Sequence, residues 1–151
     1  MGTFEFIPFG EEVDIGDESY GKDGEGINYK SIKEFVKNEN FDLLFPSNII
    51  DDINIITITN SSRYKDIHIV FNTPDLFITL ELNTKLNQDI KNVCNKKITL
   101  NGIDYYICIM EDISQVQAYF IHNNNLYTIT YKDEKSLMEI LNNMEEIKYE
   151  D

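Results

Sequence analysis

Tryptophan is absent from this chain, which has only two cysteines, two histidines and three prolines. No C-x-x-C, no H-E-x-x-H and no pair of histidines at helical spacing occurs, so the spacings that close a four-ligand zinc site are missing. His68 alternates with Ile67 and Ile69, and His122 sits beside a turn; both are expected at the surface, with no metal and no cofactor. Basic residues are also scarce, at 13 against 27 acidic ones, for a formal net charge of −14. Affinity for nucleic acid or for an anionic membrane rests on Lys and Arg, so neither is an expected partner. The acidity is expected to serve solubility. No run of eighteen apolar residues exists, and the N-terminus lacks a basic region followed by an apolar one. The chain itself is therefore not expected to insert into a membrane. A native start at Met1 implies a cytoplasmic protein; a signal or anchor upstream implies an extracytoplasmic one.

Five of the seven glycines lie between Gly10 and Gly26. None of them forms a phosphate loop, a nucleophile elbow or a dinucleotide fingerprint. Residues 1–26 read as a flexible, acidic, Gly-rich segment, with a short edge strand as the candidate over Thr3–Phe9. Asp14, Asp17, Asp23 and Glu25 fit no frame of a calcium loop, which needs oxygen ligands at fixed positions, Gly at the sixth and Glu at the twelfth. Residues 27–151 read as one domain, long enough to bury a core.

What the chain has in abundance is isoleucine, at 23 residues, with nine Phe and nine Tyr. That composition favours β structure. The clearest signal lies in Ile98–Met144. Asn101-Gly102, set between alternating apolar residues, predicts a type I′ hairpin, because both turn residues need positive φ. Ile98 then faces Tyr105, and Leu100 faces Ile103. A second hairpin over Gln115–Tyr131 turns at Asn123-Asn124, placing Phe120 opposite Tyr127, Ala118 opposite Ile129 and Val116 opposite Tyr131. Asp133 is the predicted cap of a helix burying Leu137, Ile140, Leu141 and Met144. Glu145 onward reads as a charged tail.

Earlier in the chain, Ser31 and Glu34 frame a capping box for a helix over Ser31–Asn40, with Ile32, Phe35 and Val36 inward. Phe41–Pro46 is an apolar segment stopped by proline. Strands are predicted over Asn54–Thr59, Asp66–Asn72 and Leu76–Asn83, with turns at Asn60-Ser61-Ser62 and Thr73-Pro74-Asp75. Thr84–Asn95 is polar and irregular, with room for one helical turn around Leu86 and Ile90. The expected fold class is α+β: a single antiparallel sheet of six or seven strands, a meander of hairpins, with an N-terminal and a C-terminal helix packed on it.

Two features bear on chemistry. Extending the Asn101-Gly102 register places Cys94 opposite Ile109 and Cys108 opposite Asn95, with the sulfurs on opposite faces, so both are expected as free thiols. Cys108 with His68 or His122 is then the candidate nucleophile–base pair of a small hydrolase, although nothing beside Cys108 lowers a thiol pKa. The other feature is the second sheet face, where Tyr106, Met110, Tyr119, Ile121 and Leu126 share space with Thr99, Thr128 and Thr130. This mixture suits a binding surface unless the N-terminal helix or the Phe41–Phe45 segment covers it as core.

Ile98-Thr99-Leu100-Asn101-Gly102, Gln117-Ala118-Tyr119-Phe120, Asn125-Leu126-Tyr127-Thr128-Ile129 and Ser136-Leu137-Met138-Glu139-Ile140-Leu141 together resemble domain-of-unknown-function family four-three-six-seven. Phe45-Pro46-Ser47 with Ile49-Ile50-Asp51 is similar to the proline-bearing segment that opens that family, without its second proline, and the tryptophan often found in its aromatic strand is replaced. The resemblance spans about Phe41 to Met144. It implies the extracytoplasmic part of a Gram-positive membrane-anchored protein, such as a lipoprotein or an anti-sigma-factor-like protein, and brings no catalytic residues. The expected function is non-enzymatic binding or sensing of a protein or small-molecule ligand outside the cytoplasm. A structural partner module is the remaining alternative to the hydrolase.

Overall fold

The computed structural model describes residues 26–60 and 65–148. The acidic N-terminal segment, its candidate strand, its acidic residues and the Asn60-Ser61-Ser62 turn beyond Asn60 lie outside the described residues. The chain runs β1 (Gly26–Tyr29), α1 (Ile32–Glu39), β2 (Leu43–Pro46), β3 (Ile53–Asn60), β4 (Lys65–Phe71) and β5 (Phe77–Glu81). There follow α2 (Gln88–Val93), β6 (Lys96–Leu100), β7 (Ile103–Met110), β8 (Gln115–His122), β9 (Asn125–Tyr131), α3 (Glu134–Leu141) and β10 (Met144–Ile147). The mix is α+β, but the main sheet has eight strands rather than six or seven, in the order β1-β3-β4-β5-β9-β8-β7-β6. The extra strand is β1, four residues at the end of the glycine-rich stretch, where composition masks a strand.

Local chemistry sets the boundaries. Ser31 Oγ accepts from the Glu34 N–H at 3.1 Å and starts α1; Asn40, in the left-handed region at φ 52°, ends it. The Asp133 carboxylate accepts from the Ser136 N–H at 2.7 Å and starts α3. The two hairpin turns carry φ 51° at Asn101 and 81° at Gly102, then 52° at Asn123 and 66° at Asn124. The second is a positive-φ pair made without glycine, which Asn tolerates because its short polar side chain bonds locally. Both predicted registers hold: Ile98 pairs Tyr105, Leu100 pairs Ile103, and Phe120 pairs Tyr127.

The connectivity is not one simple meander. β3-β4-β5 and β6-β7-β8-β9 are two meanders, and β9 returns to pair with β5 along Phe77–Glu81. The chain leaving β5 must therefore cross three strands before β6 begins. One face of the sheet is core: a rung of Ile56, Ile69, Ile78, Ile129, Ala118 and Ile107 is buried at no more than 1% exposure each. The next rung holds the aromatic series Tyr105, Phe120 and Tyr127, with successive ring centroids 4.7 and 4.9 Å apart. α1, β2 and α3 cover this face, with Phe35, Phe45 and Leu137 fully buried against it.

A second, two-stranded sheet pairs β2 with β10, Leu43 opposite Ile147 and Pro46 opposite Met144. This corrects two expectations. Met144 is the first residue of a strand, not the last of the helix, which ends at Leu141. Glu145–Ile147 is paired rather than a free tail. The cause is tertiary: the backbone of the buried apolar segment Leu43–Phe45 needs hydrogen-bond partners, and β10 supplies them. At the seam between the sheets the Leu44 N–H donates to the Tyr127 hydroxyl at 3.1 Å, in a buried bond.

Tyr127→Phe removes that acceptor and leaves a buried amide unpaired. We expect a loss of roughly 1–3 kcal/mol of unfolding free energy in urea, with the slope unchanged. An unaltered midpoint would show that Leu44 finds another partner.

Candidate functional site

The face of the main sheet away from α1 and α3 is crossed by one polar rung that reaches all eight strands. Through successive register pairs it runs Asn28, Thr57, His68, Thr79, Thr128, Tyr119, Tyr106 and Lys97. The adjacent rung sets Asp66 directly opposite Glu81, and continues to Leu126 and Ile121. Two carboxylates facing each other across a strand pair repel, and the crowded sheet surface strips water from them. Burial pushes the Asp66 carboxyl up to about 6. Burial first, and then the charge of Asp66, raise Glu81, while His68 draws it back. Desolvation lowers His68, offset in part by Glu81. His68 and Glu81 remain solvent-accessible, so water screens much of this coupling.

The same outer face carries the crossover from β5 to β6. After β5, Asn83 enters the left-handed region at φ 55°, and its N–H donates to Asn125 Oδ1 at 3.1 Å. The Thr84 N–H donates to the Asn124 carbonyl at 3.1 Å. These bonds hold the crossover to the tip of the β8–β9 hairpin. Asn87 Oδ1 then accepts from the Ile90 N–H at 2.9 Å and opens α2. At the far end of α2 a disulfide joins Cys94 to Cys108, their Cα atoms 4.2 Å apart. The crossover is thus anchored at both ends, across the outer face.

The disulfide overturns the expectation of two free thiols, and it does so without any change in register. The last ladder pair is Lys96 with Ile107. Cys94 lies beyond the ladder as the C-cap of α2, with its N–H bonded to the Ile90 carbonyl. Asn95 makes the transition: its N–H reaches the Ile107 carbonyl at 2.8 Å, and its side-chain oxygen accepts from the Ile109 N–H. Face alternation applies only along a paired strand, so it says nothing about Cys94. With its sulfur in the bridge, Cys108 offers no thiolate to either histidine. His68 lies on β4 and His122 on β8, where His122 Nε2 sits 3.0 Å from Glu146 Oε2.

Between the crossover and the two hairpin tips lies an open cleft of about 760 Å³. Asn83, Thr84, Lys85, Leu86 and Lys91 form its crossover wall. Gly102, Ile103 and Asp104 contribute from the β6–β7 turn, and His122, Asn123 and Asn124 from the β8–β9 turn. Tyr106 and Ile121 complete the lining. The ammonium groups of Lys91 and Lys97 lie 5.7 and 5.8 Å from the Tyr106 ring centroid, within cation–π range. Asp104 accepts from the Thr99 hydroxyl at 2.7 Å and pairs with Lys97 at 3.5 Å. Chiefly through that Thr99 bond, with Lys97 adding to it, its carboxyl is held below the usual range.

Of the five residues singled out from the second face, Tyr106 and Ile121 line this cleft together. Tyr119 is the register partner of Tyr106, and its hydroxyl donates to Gln117 Oε1 at 2.6 Å. Leu126 shares the rung of Ile121 but is only 4% exposed. Met110 stands at the opposite end of β7, beside a smaller hollow with Asn95 and Glu111. α1 and Leu43–Phe45 lie on the core side, so the element crossing this face is α2. Sequence reasoning missed Lys85 and Lys91 because they sit in the polar, irregular stretch before β6. The Asp66–Glu81 opposition was readable only once the β4–β5 register was known.

Among the described residues no group of three or more His, Cys, Asp or Glu side chains is placed to hold a metal ion. No protein-family model, no curated protein and no solved structure matches the chain.

Two outcomes are expected. The double substitution Cys94→Ser and Cys108→Ser opens a loop of sequence separation 14, and should lower unfolding free energy by about 3 kcal/mol. Equal stability of the double variant would mean that the bridge constrains nothing. Asp66→Asn tests the burial of this carboxyl. Because the folded-state pKa of Asp66 is raised, its neutral form favours the fold, and this contribution fades as pH rises through about 6. The variant should gain roughly 1 kcal/mol over the parent at pH near 7.5, after discounting for screening, with a smaller gain near 4.5. A pH-independent difference would exclude ionisation of the buried Asp66 carboxyl as its cause.

Proposed function

We propose that this chain is a non-enzymatic binding or sensing domain that works outside the cytoplasm of a bacterium, tethered to the membrane through a segment upstream. The observation that carries the reading is the disulfide-anchored crossover, which forms one wall of an open cleft lined by polar groups, by Leu86, Ile103 and Ile121, and by the Tyr106 ring. Disulfides persist in oxidising compartments and are rare in a reducing cytoplasm. A structural bridge that anchors the wall of this cleft fits an exported binding module. The resemblance of the two hairpins and their capped helix to domain-of-unknown-function family four-three-six-seven supports the same placement. An acidic surface suits a soluble partner or ligand better than nucleic acid or bare anionic lipid.

In intact cells of the native host, a membrane-impermeant amine label should modify this protein, and a maleimide should find no free thiol before reduction. Labelling only after lysis, together with two reactive thiols, would overturn the extracytoplasmic reading.

A further inference from the structure

We propose that the cleft between the crossover and the hairpin tips takes a small organic anion: an acidic group beside an aromatic or aliphatic body. This rests on the reading of the cleft as a ligand seat. The charge balance there runs against that of the chain. In a protein with 27 acidic and 13 basic residues, the cleft wall holds two lysines, Lys85 and Lys91, and a single carboxylate, Asp104. That carboxylate is already engaged, by the Thr99 hydroxyl and by Lys97. Neither Lys85 nor Lys91 is in an ion pair with an acidic side chain among the described residues.

Position reinforces composition. The Lys91 ammonium lies against the Tyr106 ring, which leaves its donors to meet an acceptor from the cleft. Tyr106 and Ile121 offer apolar surface for the body of the ligand, and the Asn83, Asn123 and Asn124 side chains supply neutral donors and acceptors. Lys91 belongs to α2, whose end is pinned by the Cys94–Cys108 bridge, so its backbone position beside the cleft is set before any ligand arrives. Such pre-ordering reduces the entropy lost on binding. Asp104 offsets part of the charge of Lys91, and a neutral ligand of the same shape would leave the rest of this wall's positive charge unmatched.

The test compares phenylacetate with its neutral isostere phenylacetamide by amide chemical-shift titration of the disulfide-intact protein. Phenylacetate should give saturable shifts centred on Lys85, Lys91, Tyr106 and Ile121, with affinity about tenfold above that of the amide, as expected for one charge-assisted hydrogen bond. Added salt should narrow the gap. Lys85→Gln with Lys91→Gln should remove the preference while leaving the rest of the spectrum in place. Equal affinities for the two probes would overturn the anion assignment and leave the cleft as a ligand seat. No saturable shift at the cleft from either probe, or shifts centred elsewhere, would overturn both.

Discussion

Everything distinctive about this molecule depends on the pairing of β9 with β5. Without it the chain would be two separate meanders, each with one apolar face and a long exposed edge. Joining them places the isoleucines of β3, β4 and β5 in line with those of β9 and β7, and makes one continuous core-facing rung. A fully buried side chain of this size is worth roughly 1.5–3 kcal/mol, so a rung that runs unbroken across the seam favours the join strongly. The same join obliges the chain to travel from β5 to the opposite edge over three intervening strands. That crossover is the wall of the cleft.

The two faces of the sheet are handled differently. The core face is covered by α1, α3 and the small β2–β10 sheet, and at the seam between the sheets Tyr127 accepts from Leu44. Among the described residues the outer face is covered only where the crossover lies, and its chemistry is graded along the rungs. Carboxylates oppose each other at β4–β5, hydroxyls dominate the centre, and lysines gather toward β6. An antiparallel sheet with one solvated face permits such patterning, because alternate residues answer to separate environments. Glu81 of the opposed pair lies just before Asn83, where the cleft wall begins, and along its rung only β9 separates it from Ile121.

Much of the fold was legible from residues alone. The type I′ turns, both hairpin registers, the Ser31 and Asp133 caps and the inward faces of the helices follow from interactions within about five residues or directly across a turn. Legibility failed wherever a distant partner decides the state. β1 looks like linker until β3 is beside it. Glu145–Ile147 looks like a tail until Leu43–Phe45 needs its backbone. The five residues read as a binding face share the outer side of the sheet, but alternation carries no information about position along the strand or about cover. Hence Tyr106 and Ile121 meet in the cleft while Leu126 is buried and Met110 stands remote.

The disulfide marks the boundary most sharply. Turn chemistry at Asn101-Gly102 determined the β6–β7 register, because only positive-φ residues close that hairpin and the pleat then orders every side chain along it. The register is as expected. What turn chemistry does not determine is where the ladder stops, and the chain leaves it at Asn95 because α2 must end there to bring the crossover onto β6. That departure frees Cys94 from strand alternation and brings it within bonding distance of Cys108. Periodicity and turn propensity are short-range and reside in the sequence. The anchoring of the crossover, and with it the cleft, arises from β9 pairing with a strand formed some fifty residues earlier, a long-range closure that only the tertiary structure decided.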